Sequence, residues 1–413
     1  MVTEKEAKLR IQPQDIADKA KNLGRPDWTK WPVYDSAAAG LRDYWYPVLW
    51  SNQLRNKKPL AIRLCGEDIM LMRDRGTVYA LHDRCPHRGV PLSLGIQEFE
   101  GTITCPYHAW TFDLADGDLV AVITDGPDSP ICGKAAVKSY PVTEMLGLIW
   151  VYVGDSDPPP PESALPEELR ESVAFVMGGR VADREGNWRL AAENGFDEGH
   201  AKYLHRTSTW RTFKAMPTWN ITKIVPDGRW IYRVQQEVHW SANFPGLGEW
   251  SNIKWWKIRP KNYSDDAPQL GNTGGAKKAD EHIVRQKFPG FASITVPGVL
   301  RIAYPKFIHY EFYVPKDENW HRYVGIMVRF VTGWRSWLFR FKYWAVIRPH
   351  FHGNFSNLDA WMVEATDAPP ERLYRPDSSL LAWRRLVERT KEGQDLEEAV
   401  RDASDDVTGV GDE

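Results

Sequence analysis

The sequence lacks the features that mark secreted, membrane-spanning and nucleic-acid-binding proteins. It contains no run of 18 or more apolar residues, so no segment is predicted to span a bilayer. The N-terminal stretch MVTEKEAKLRIQPQDIADKAKN is charged and has no apolar core of a signal peptide, which predicts a cytoplasmic protein. A net charge of −2 gives no basic stripe, so nucleic acid is not an expected partner.

Cysteines and nucleotide-binding motifs are also scarce. Four cysteines in 413 residues are too few for a disulfide framework, so they are interpreted as metal ligands or core residues. No GxGxxG motif follows a predicted strand and no P-loop occurs, so neither a flavin nor a nicotinamide domain is predicted. Any redox reaction of this chain would therefore need electrons from another protein.

The order of segments along the chain predicts an α+β protein with two main domains. Residues 1–40 are predicted to form a helical lead-in, and residues 41–155 contain short alternating strands separated by turns, typical of an antiparallel β domain. A proline-rich linker, GDSDPPPPESALPEE, then precedes a mixed domain over residues 156–400. Residues 401–413 are expected to be an acidic flexible tail.

Two Cys-His pairs lie within the predicted β domain. Cys85 and His87 form a C-x-H motif, and Cys105 and His108 form a C-x2-H motif seventeen residues later. Such a set could hold one tetrahedral zinc ion, or a Rieske [2Fe–2S] cluster with both thiolates on one iron and both imidazoles on the other. Short loops at strand ends favour the cluster, because a zinc finger would place its histidines together on a helix.

A second group of ligand-type residues occurs in ENGFDEGHAKYLH, where Asp197, His200 and His205 lie close together. Two histidines and one carboxylate with open positions are typical of non-haem Fe(II) oxygenases. Residues five apart on a regular helix point about 140° away from each other, so we expect either a break at Gly199 or a π-bulge between the histidines. The alternative is a pair of histidines buried in the core.

Taken together, these motifs identify a resemblance to the catalytic α subunit of Rieske non-haem iron aromatic-ring-hydroxylating oxygenases. The resemblance covers roughly residues 40–390 and is closest to the homotrimeric branch, which includes the carbazole dioxygenase and 2-oxoquinoline monooxygenase terminal components. It implies a [2Fe–2S] Rieske domain and a larger catalytic domain that holds mononuclear Fe(II). That domain is expected to be a curved antiparallel sheet covered by helices, of the helix-grip type.

The resemblance also implies a third iron ligand in the C-terminal third. Asp359, in NFSNLDAWMVEA, is the best match, and Glu364 and Asp367 are the alternatives. A carboxylate at the start of a helix is also a common cap, which leaves a purely structural role open.

In the same family, the residue matching Asp197 is a bridge rather than an iron ligand. Carried over, His108 of one subunit would hydrogen-bond Asp197 of the next, and Asp197 would orient His200. The substitution Asp197→Asn is then predicted to keep both metals but to lose turnover. Asn194, placed one turn before Asp197 on the same predicted helix face, is either a hydrogen-bond donor near the iron or a surface or capping residue.

The function implied by the resemblance is that of a terminal oxygenase component. It would use O2 and externally supplied electrons to hydroxylate an apolar aromatic or heterocyclic substrate, with ring dihydroxylation favoured. A monooxygenase or an O- or N-demethylase would use the same ligands, and a non-catalytic Rieske electron carrier is a further alternative. The implied partners are a ferredoxin, an NAD(P)H-dependent reductase or both, and the implied assembly is a homotrimer.

An aromatic segment over residues 329–350 stands out in a chain with 20 tryptophans. If it is helical, one apolar face contains Trp334, Trp337, Leu338, Phe341 and Trp344. This face is predicted to pack on the core. The alternatives are a wall of the substrate channel, a docking face for an acidic ferredoxin, or attachment to a membrane surface.

Overall fold

The computed structural model describes residues 31–171, 175–197, 199–205, 208, 218–239, 292–304, 307–366, 371, 373–374 and 377–408. The predicted α+β class is confirmed, because small antiparallel sheets precede a seven-stranded antiparallel sheet that packs against helices. In this part of the chain, no helix has the length and apolar character needed to cross a membrane.

Three small antiparallel sheets form the N-terminal part. The first contains β1 (Tyr44–Trp50), β9 (Leu148–Val153) and β8 (Val142–Met145), the second contains β2 (Leu60–Leu64), β3 (Glu67–Asp74) and β4 (Thr77–His82), and the third contains β5 (Thr102–Thr104), β6 (Trp110–Asp113) and β7 (Leu119–Val122). Strand β3 serves two cores, because its side chains alternate between its faces. Ile69 and Leu71 pack with the first sheet, whereas Met70 and Met72 pack around the two Cys-His loops.

The catalytic part is built on a single seven-stranded sheet. Its order is β10 (Val176–Glu185), β16 (Trp320–Arg329), β15 (Phe307–Pro315), β14 (Val299–Tyr304), β13 (Ala292–Thr295), β12 (Trp230–His239) and β11 (Thr218–Asp227). The helices are α1 (Pro32–Ser36), α2 (Glu167–Glu171), α3 (Trp188–Phe196), α4 (Gly199–Leu204), α5 (Trp334–Lys342), a π-helix (Tyr343–Phe355), α6 (Ser356–Ala365), α7 (Ser378–Lys391) and α8 (Leu396–Thr408).

The two faces of this sheet bury different partners. On one face, Tyr310 and Phe312 of β15 pack with the first N-terminal sheet, where Phe312 meets Trp150 edge-on at 5.5 Å between ring centroids. On the other face, α3 and α7 meet through Trp188 and Trp383, whose rings are perpendicular and 6.0 Å apart. An aromatic pair of this geometry adds about 0.5–1.5 kcal/mol beyond the burial of its area.

The apolar core crosses the domain boundary expected at residues 155 and 156. Val151 of β9 and Ile326 of β16 belong to one continuous cluster of buried side chains. The first N-terminal sheet is therefore packed directly on the catalytic sheet, and the proline-rich segment lies over this junction, where the Pro159 carbonyl accepts a 2.9 Å hydrogen bond from Trp45 Nε1.

The expectation of a flexible acidic tail is wrong for residues 401–408, which belong to α8. Val400, Ala403 and Val407 recur at helical spacing and are buried in the catalytic core. The acidic residues between them occupy the other face, where Asp402 and Asp406 form ion pairs with Arg389 of α7 at 3.3 and 2.8 Å. The acidic composition concealed this short apolar stripe. Residues 1–30 of the expected helical lead-in lie outside the described residues.

Candidate metal centres

The two Cys-His loops share one backbone conformation. In each loop the Cys N–H donates to the carbonyl five positions later, at 2.8 Å in both cases. The residue four positions after the Cys donates back to the Cys carbonyl, from Gly89 to Cys85 at 2.8 Å and from Ala109 to Cys105 at 3.1 Å. Both donors have positive φ, +74° at Gly89 and +54° at Ala109, as a tight left-handed turn requires.

These loops present thiols inward and imidazoles outward. Cys85 and Cys105 are each only 2% exposed, and their thiols are hydrogen-bonded to each other. Burial, as the largest influence, raises the pKa of the Cys85 thiol to about 11. His87 and His108 lie on the outer side of the loops with ring centroids 4.4 Å apart. Two inner thiols and two outer imidazoles fit the Rieske cluster, in which each iron takes one kind of ligand.

The second group converges on one point. One ligand atom from each of His200, His205 and Asp359 lies within 4.8 Å of the others. Asp359 Oδ1 is 3.0 Å from His205 Nε2 and 3.4 Å from His200 Nε2. Adjacent ligands about 2.1 Å from one ion lie about 3 Å apart, so the set fits a facial two-histidine, one-carboxylate site for iron.

The two histidines, five residues apart, lie at the start of one short helix and just past its end. Helix α4 begins at Gly199 and ends at Leu204 without a π-bulge, and His205 follows in a tighter turn. The chain does break near Gly199, but this break lies before His200, between α3 and α4, and does not separate the two histidines. A π-helix lies instead at residues 343–355 and leads directly into α6, which carries Asp359 in its first turn.

Of the two competing carboxylates, Glu364 does not join this group. Glu364 is exposed on α6, where burial and then the charge of Glu185 raise its pKa. Asp367 lies outside the described residues.

Asp197 caps α4, and the expectation that it shares a helix face with Asn194 is wrong. Its backbone is extended, at φ −73° and ψ 132°, because α3 ends at Phe196. Asp197 Oδ1 accepts from the Gly199 N–H at 2.7 Å, and Oδ2 accepts from the His200 N–H at 3.0 Å. The same Oδ2 lies 3.2 Å from His200 Nδ1. A proton held on Nδ1 leaves Nε2 as the ligating nitrogen.

Asn194 reaches the site from α3. Its Nδ2 donates to Asp359 Oδ1 at 3.4 Å, the oxygen that also faces both histidines. Burial alone would raise the pKa of Asp359, but His205 and His200 hold it well below its usual range. Burial likewise opposes the charged form of His200, but hydrogen bonds to Asp197 and Asp359 raise its pKa to about 10. The site therefore has the charge balance of a cation-binding site.

Two neighbours of this site were not identified from the sequence. Phe355 stacks on the His205 ring at 3.6 Å, with 13° between the planes. Glu311 is buried on β15, where His309 Nε2 lies 2.8 Å from its Oε1 and Tyr323 donates to it at 2.9 Å. The only signal was that His309 and Glu311 are two apart in an otherwise apolar strand, which places both on one face.

Aromatic side chains of the catalytic part could form the walls of a substrate pocket. Phe307 and Phe330 are half-buried against separate core clusters, and Trp240, Phe244 and Phe291 lie outside the described residues. A cavity of about 380 Å³ lies between β1, β14 and β15, but none of the three convergent ligand residues lines it.

Family models match two segments within the first 219 residues of the chain. Residues 44–141 match the Rieske [2Fe-2S] domain, and residues 152–219 match the homotrimeric ring hydroxylase family. These ranges contain the four Cys-His ligands and both histidines of the second site.

Individual relatives extend the similarity over most of the chain. This chain is 31% identical to the terminal oxygenase component of carbazole 1,9a-dioxygenase from Metapseudomonas resinovorans, over 88% of this chain and 94% of the relative. The corresponding protein of a Sphingomonas species is 32% identical over 88% of this chain and 95% of its own length. The oxygenase in the reduced complex between oxygenase and ferredoxin in carbazole 1,9a-dioxygenase superimposes with a TM-score of 0.70, at 27% identity and over 92% of this chain and 98% of that one.

Proposed function

Because the chain belongs to the Rieske non-haem iron ring-hydroxylating oxygenases, in their homotrimeric branch, we propose that it hydroxylates a polycyclic or heterocyclic aromatic compound. It is a terminal oxygenase component and carries a Rieske [2Fe–2S] domain. The observation that carries the proposed reaction is the convergence of His200, His205 and Asp359 in the same chain as a Rieske ligand set. A carrier of electrons alone would have no use for the second site.

Each group of side chains has a defined task in this proposal. Cys85 and Cys105 hold the buried side of the cluster, and His87 and His108 hold its outer side. His200, His205 and Asp359 hold the iron and leave coordination positions open. When bound, the cluster stores electrons and the iron activates O2 beside the substrate. The protein positions the ring, excludes water and fixes the ligands, the last through Asp197 and Asn194.

Assembly into a trimer completes the electron path in this proposal. The Asp197 side chain is 21% exposed, so it is accessible from the surface of the subunit. The exposed side chain of Tyr374 lies nearby, with its hydroxyl next to Gly199. It is close enough to Asp197 for the carboxylate charge to raise the pKa of Tyr374, after the larger effect of burial. We infer that His108 of a neighbouring copy reaches Asp197 there. Electrons would come from a ferredoxin, as in the solved oxygenase–ferredoxin complex, and the protein would work in the cytoplasm.

The first experiment measures iron and acid-labile sulfide per chain, with an EPR spectrum of the dithionite-reduced protein. The proposal predicts three irons and two sulfides with a Rieske-type signal, and Asp359→Ala should lower the iron to two. Two irons in the unmodified protein, unchanged by added Fe(II), would leave an electron carrier. Zinc without sulfide would contradict both centres.

The reaction itself is tested with carbazole and fluorene under ¹⁸O2, using a ferredoxin and a reductase as electron donors. Two labelled oxygen atoms in the product indicate ring dihydroxylation, which we expect. One labelled atom, or loss of a methyl group from a methoxylated substrate, would indicate the monooxygenase or demethylase alternative on the same ligands.

A further inference from the structure

The aromatic face predicted to pack on the core is exposed, and we call its side chains the aromatic ridge. Trp334 is 71% exposed, Trp337 69%, Leu338 46%, Phe341 61% and Trp344 63%. The expectation of core packing is therefore wrong for this face.

The segment packs on the core through its opposite side. Phe339, Tyr343 and Ile347 recur every four residues and are nearly fully buried. The sequence contains apolar stripes on both sides of the helix, and periodicity alone could not tell which of the two faces the core.

Exposure on this scale is unusual for a folded protein. Single apolar side chains at a surface need no explanation, but a contiguous group marks an interaction site. The ridge is contiguous, since Trp337 and Phe341 stack with ring centroids 6.0 Å apart and Trp344 continues the row one turn later. Three of its five members are tryptophan, the residue most typical of the lipid–water boundary.

The charged side chains of α5 and the π-helix are all basic. Arg335, Arg340, Lys342 and Arg348 are exposed beside it, and the sequence contains no acidic residue between Glu318 and Asp359. Two of these guanidinium groups lie over ridge tryptophans, Arg335 at 5.8 Å from the Trp334 ring and Arg348 at 4.7 Å from the Trp344 ring. In a chain whose net charge is −2, this surface is a local concentration of positive charge.

We propose that the aromatic ridge inserts into the surface of an anionic lipid bilayer. An interfacial helix combines an apolar aromatic face with Lys and Arg at its edges, which is the arrangement of α5 and the first turn of the π-helix. The aromatic side chains would enter the boundary between head groups and acyl chains. Arg335, Arg340, Lys342 and Arg348 would contact the lipid phosphates.

Other occupants fit this surface less well. A two-fold contact of the ridge with itself would bring four cations of each copy together. In a cyclic homotrimer the contacts are head-to-tail, so the ridge would meet a different surface of the next copy, which would have to match both its aromatic row and its cations. An acidic electron donor would satisfy the cations, but a transient donor needs only a small, polar contact and leaves the aromatic row unexplained.

The helix that carries the ridge leads directly to the helix that carries a candidate iron ligand. Helix α5, the π-helix and α6 follow one another without a break from Trp334 to Ala365, and α6 carries Asp359. A docked enzyme would therefore hold this helical run at the bilayer, where an apolar substrate concentrates. That consequence rests on the proposed function, whereas membrane docking does not and is tested without substrate.

The test is co-sedimentation of the iron-loaded, full-length protein with vesicles. We expect binding to vesicles of phosphatidylcholine mixed with phosphatidylglycerol, weaker binding to phosphatidylcholine alone, and a loss of binding as salt increases. The double substitution Trp337→Ser and Phe341→Ser should lower the partition coefficient at least roughly tenfold. Arg335→Gln with Lys342→Gln should lower it about 25-fold on anionic vesicles, about fivefold for each charge, and little on neutral ones.

Trp320→Ser provides the matched control. Trp320 is also an exposed tryptophan, 41% exposed, and lies beside a cation, Lys316, at 5.7 Å. It begins β16, and the nine-residue rise to Arg329 places it about 30 Å along the strand from the end that leads to α5. Membrane binding should be unchanged in this variant.

Three results would overturn the proposal. The first is that the unmodified protein binds neither kind of vesicle. The second is a change of oligomeric state in the Trp337→Ser/Phe341→Ser variant, measured by sedimentation velocity, which would make the ridge a subunit contact. The third is slower reduction of this double variant by ferredoxin in the absence of lipid with unchanged vesicle binding, which would make the ridge the docking site of the electron donor.

If the Trp337→Ser/Phe341→Ser variant does not fold, two other measurements test membrane docking. They are vesicle binding of the Arg335→Gln/Lys342→Gln variant and quenching of the tryptophan fluorescence of the unmodified protein by brominated lipids. Failure of the ¹⁸O2 experiment would leave this result unaffected.

Discussion

Replacing Asp197 by asparagine tests whether its carboxylate orients the imidazole ring of His200 in the candidate iron site. Asp197 uses two oxygens, one for the Gly199 N–H and one for both the backbone and the ring of His200. The side chain of asparagine has only one oxygen. Its NH2 group must face either the Gly199 N–H or the His200 ring, donor against donor, and in both orientations the negative charge beside His200 is lost.

The expected magnitude follows from these contacts. Asparagine caps helices about as well as aspartate, but one buried donor loses its acceptor, so the free energy of unfolding should fall by about 1–3 kcal/mol. The bond to the His200 ring changes from charge-assisted to neutral, which roughly halves its strength and no longer fixes the proton on Nδ1. Losing such a partner of a metal ligand costs about 10–100-fold in metal affinity, which corresponds to about 1.4–2.7 kcal/mol.

The assay separates iron binding from electron transfer. Iron affinity is measured by titrating the iron-free protein with Fe(II), and turnover is then measured at saturating Fe(II), where both metals are present. We expect turnover to remain about tenfold reduced even when iron is restored, because the substitution would also alter the proposed link to the neighbouring subunit.

Asp395→Asn is the matched control, since Asp395 caps α8 by accepting from Glu397 N–H at 3.0 Å and Glu398 N–H at 3.2 Å but contacts no histidine. Equal iron affinity and turnover in the Asp197 and Asp395 variants would refute both the orienting and the bridging role.

The remaining predictions concern the ligands, the core and acid stability. Asp359→Ala should abolish turnover while the EPR signal of the reduced cluster is unchanged. Cys85→Ser should remove sulfide and the visible absorption of the cluster but leave one iron per chain. Trp383→Ala removes a side chain that is fully buried, and should lower the free energy of unfolding by about 3–5 kcal/mol in urea titrations. Asp43, whose pKa the Ser156 hydroxyl helps lower to about 2, should stabilise the fold above its ordinary pKa of 3.8 and lose this effect as pH falls toward 2. Asp43→Asn should remove that part of the pH dependence of the melting temperature, and an unchanged pH profile would contradict it.

The cluster ligands could be read from the sequence because they are local. Cys85, His87, Cys105 and His108 come from two short loops, and the backbone bonds that shape each loop lie within six residues. The spacing of such ligands is visible without knowledge of the tertiary fold. The equivalence of Gly89 and Ala109 was not visible, because positive φ at an alanine has no sequence signature.

Other features depended on contacts between distant segments. Asn194 and Asp359 are 165 positions apart, and only the packing of α3 against α6 brings them together. The break after Phe196 makes Asp197 a cap rather than a helix-face residue, and the two glycines on either side of the break, Gly195 and Gly199, do not by themselves show where the first helix ends. The prediction for the aromatic segment was wrong for a related reason. Its helix has two apolar stripes, one with Trp337 and Phe341 and one with Phe339 and Tyr343, and only tertiary contacts decide which of them is buried.

In the proposed iron site, the second carboxylate can balance charge without being a ligand. Asp197 and Asp359 contact opposite nitrogens of His200, so the imidazole lies between two negative charges in a largely buried site. With neutral histidines, the two carboxylates balance the charge of a divalent ion, and neither a third acid nor a protonated ligand is needed. Only one carboxylate has to occupy a coordination position, which leaves more positions open than if both were ligands. In this proposal, Asp197 supplies charge through the ring of His200 and also contacts a neighbouring subunit, a combination that a direct iron ligand could not provide.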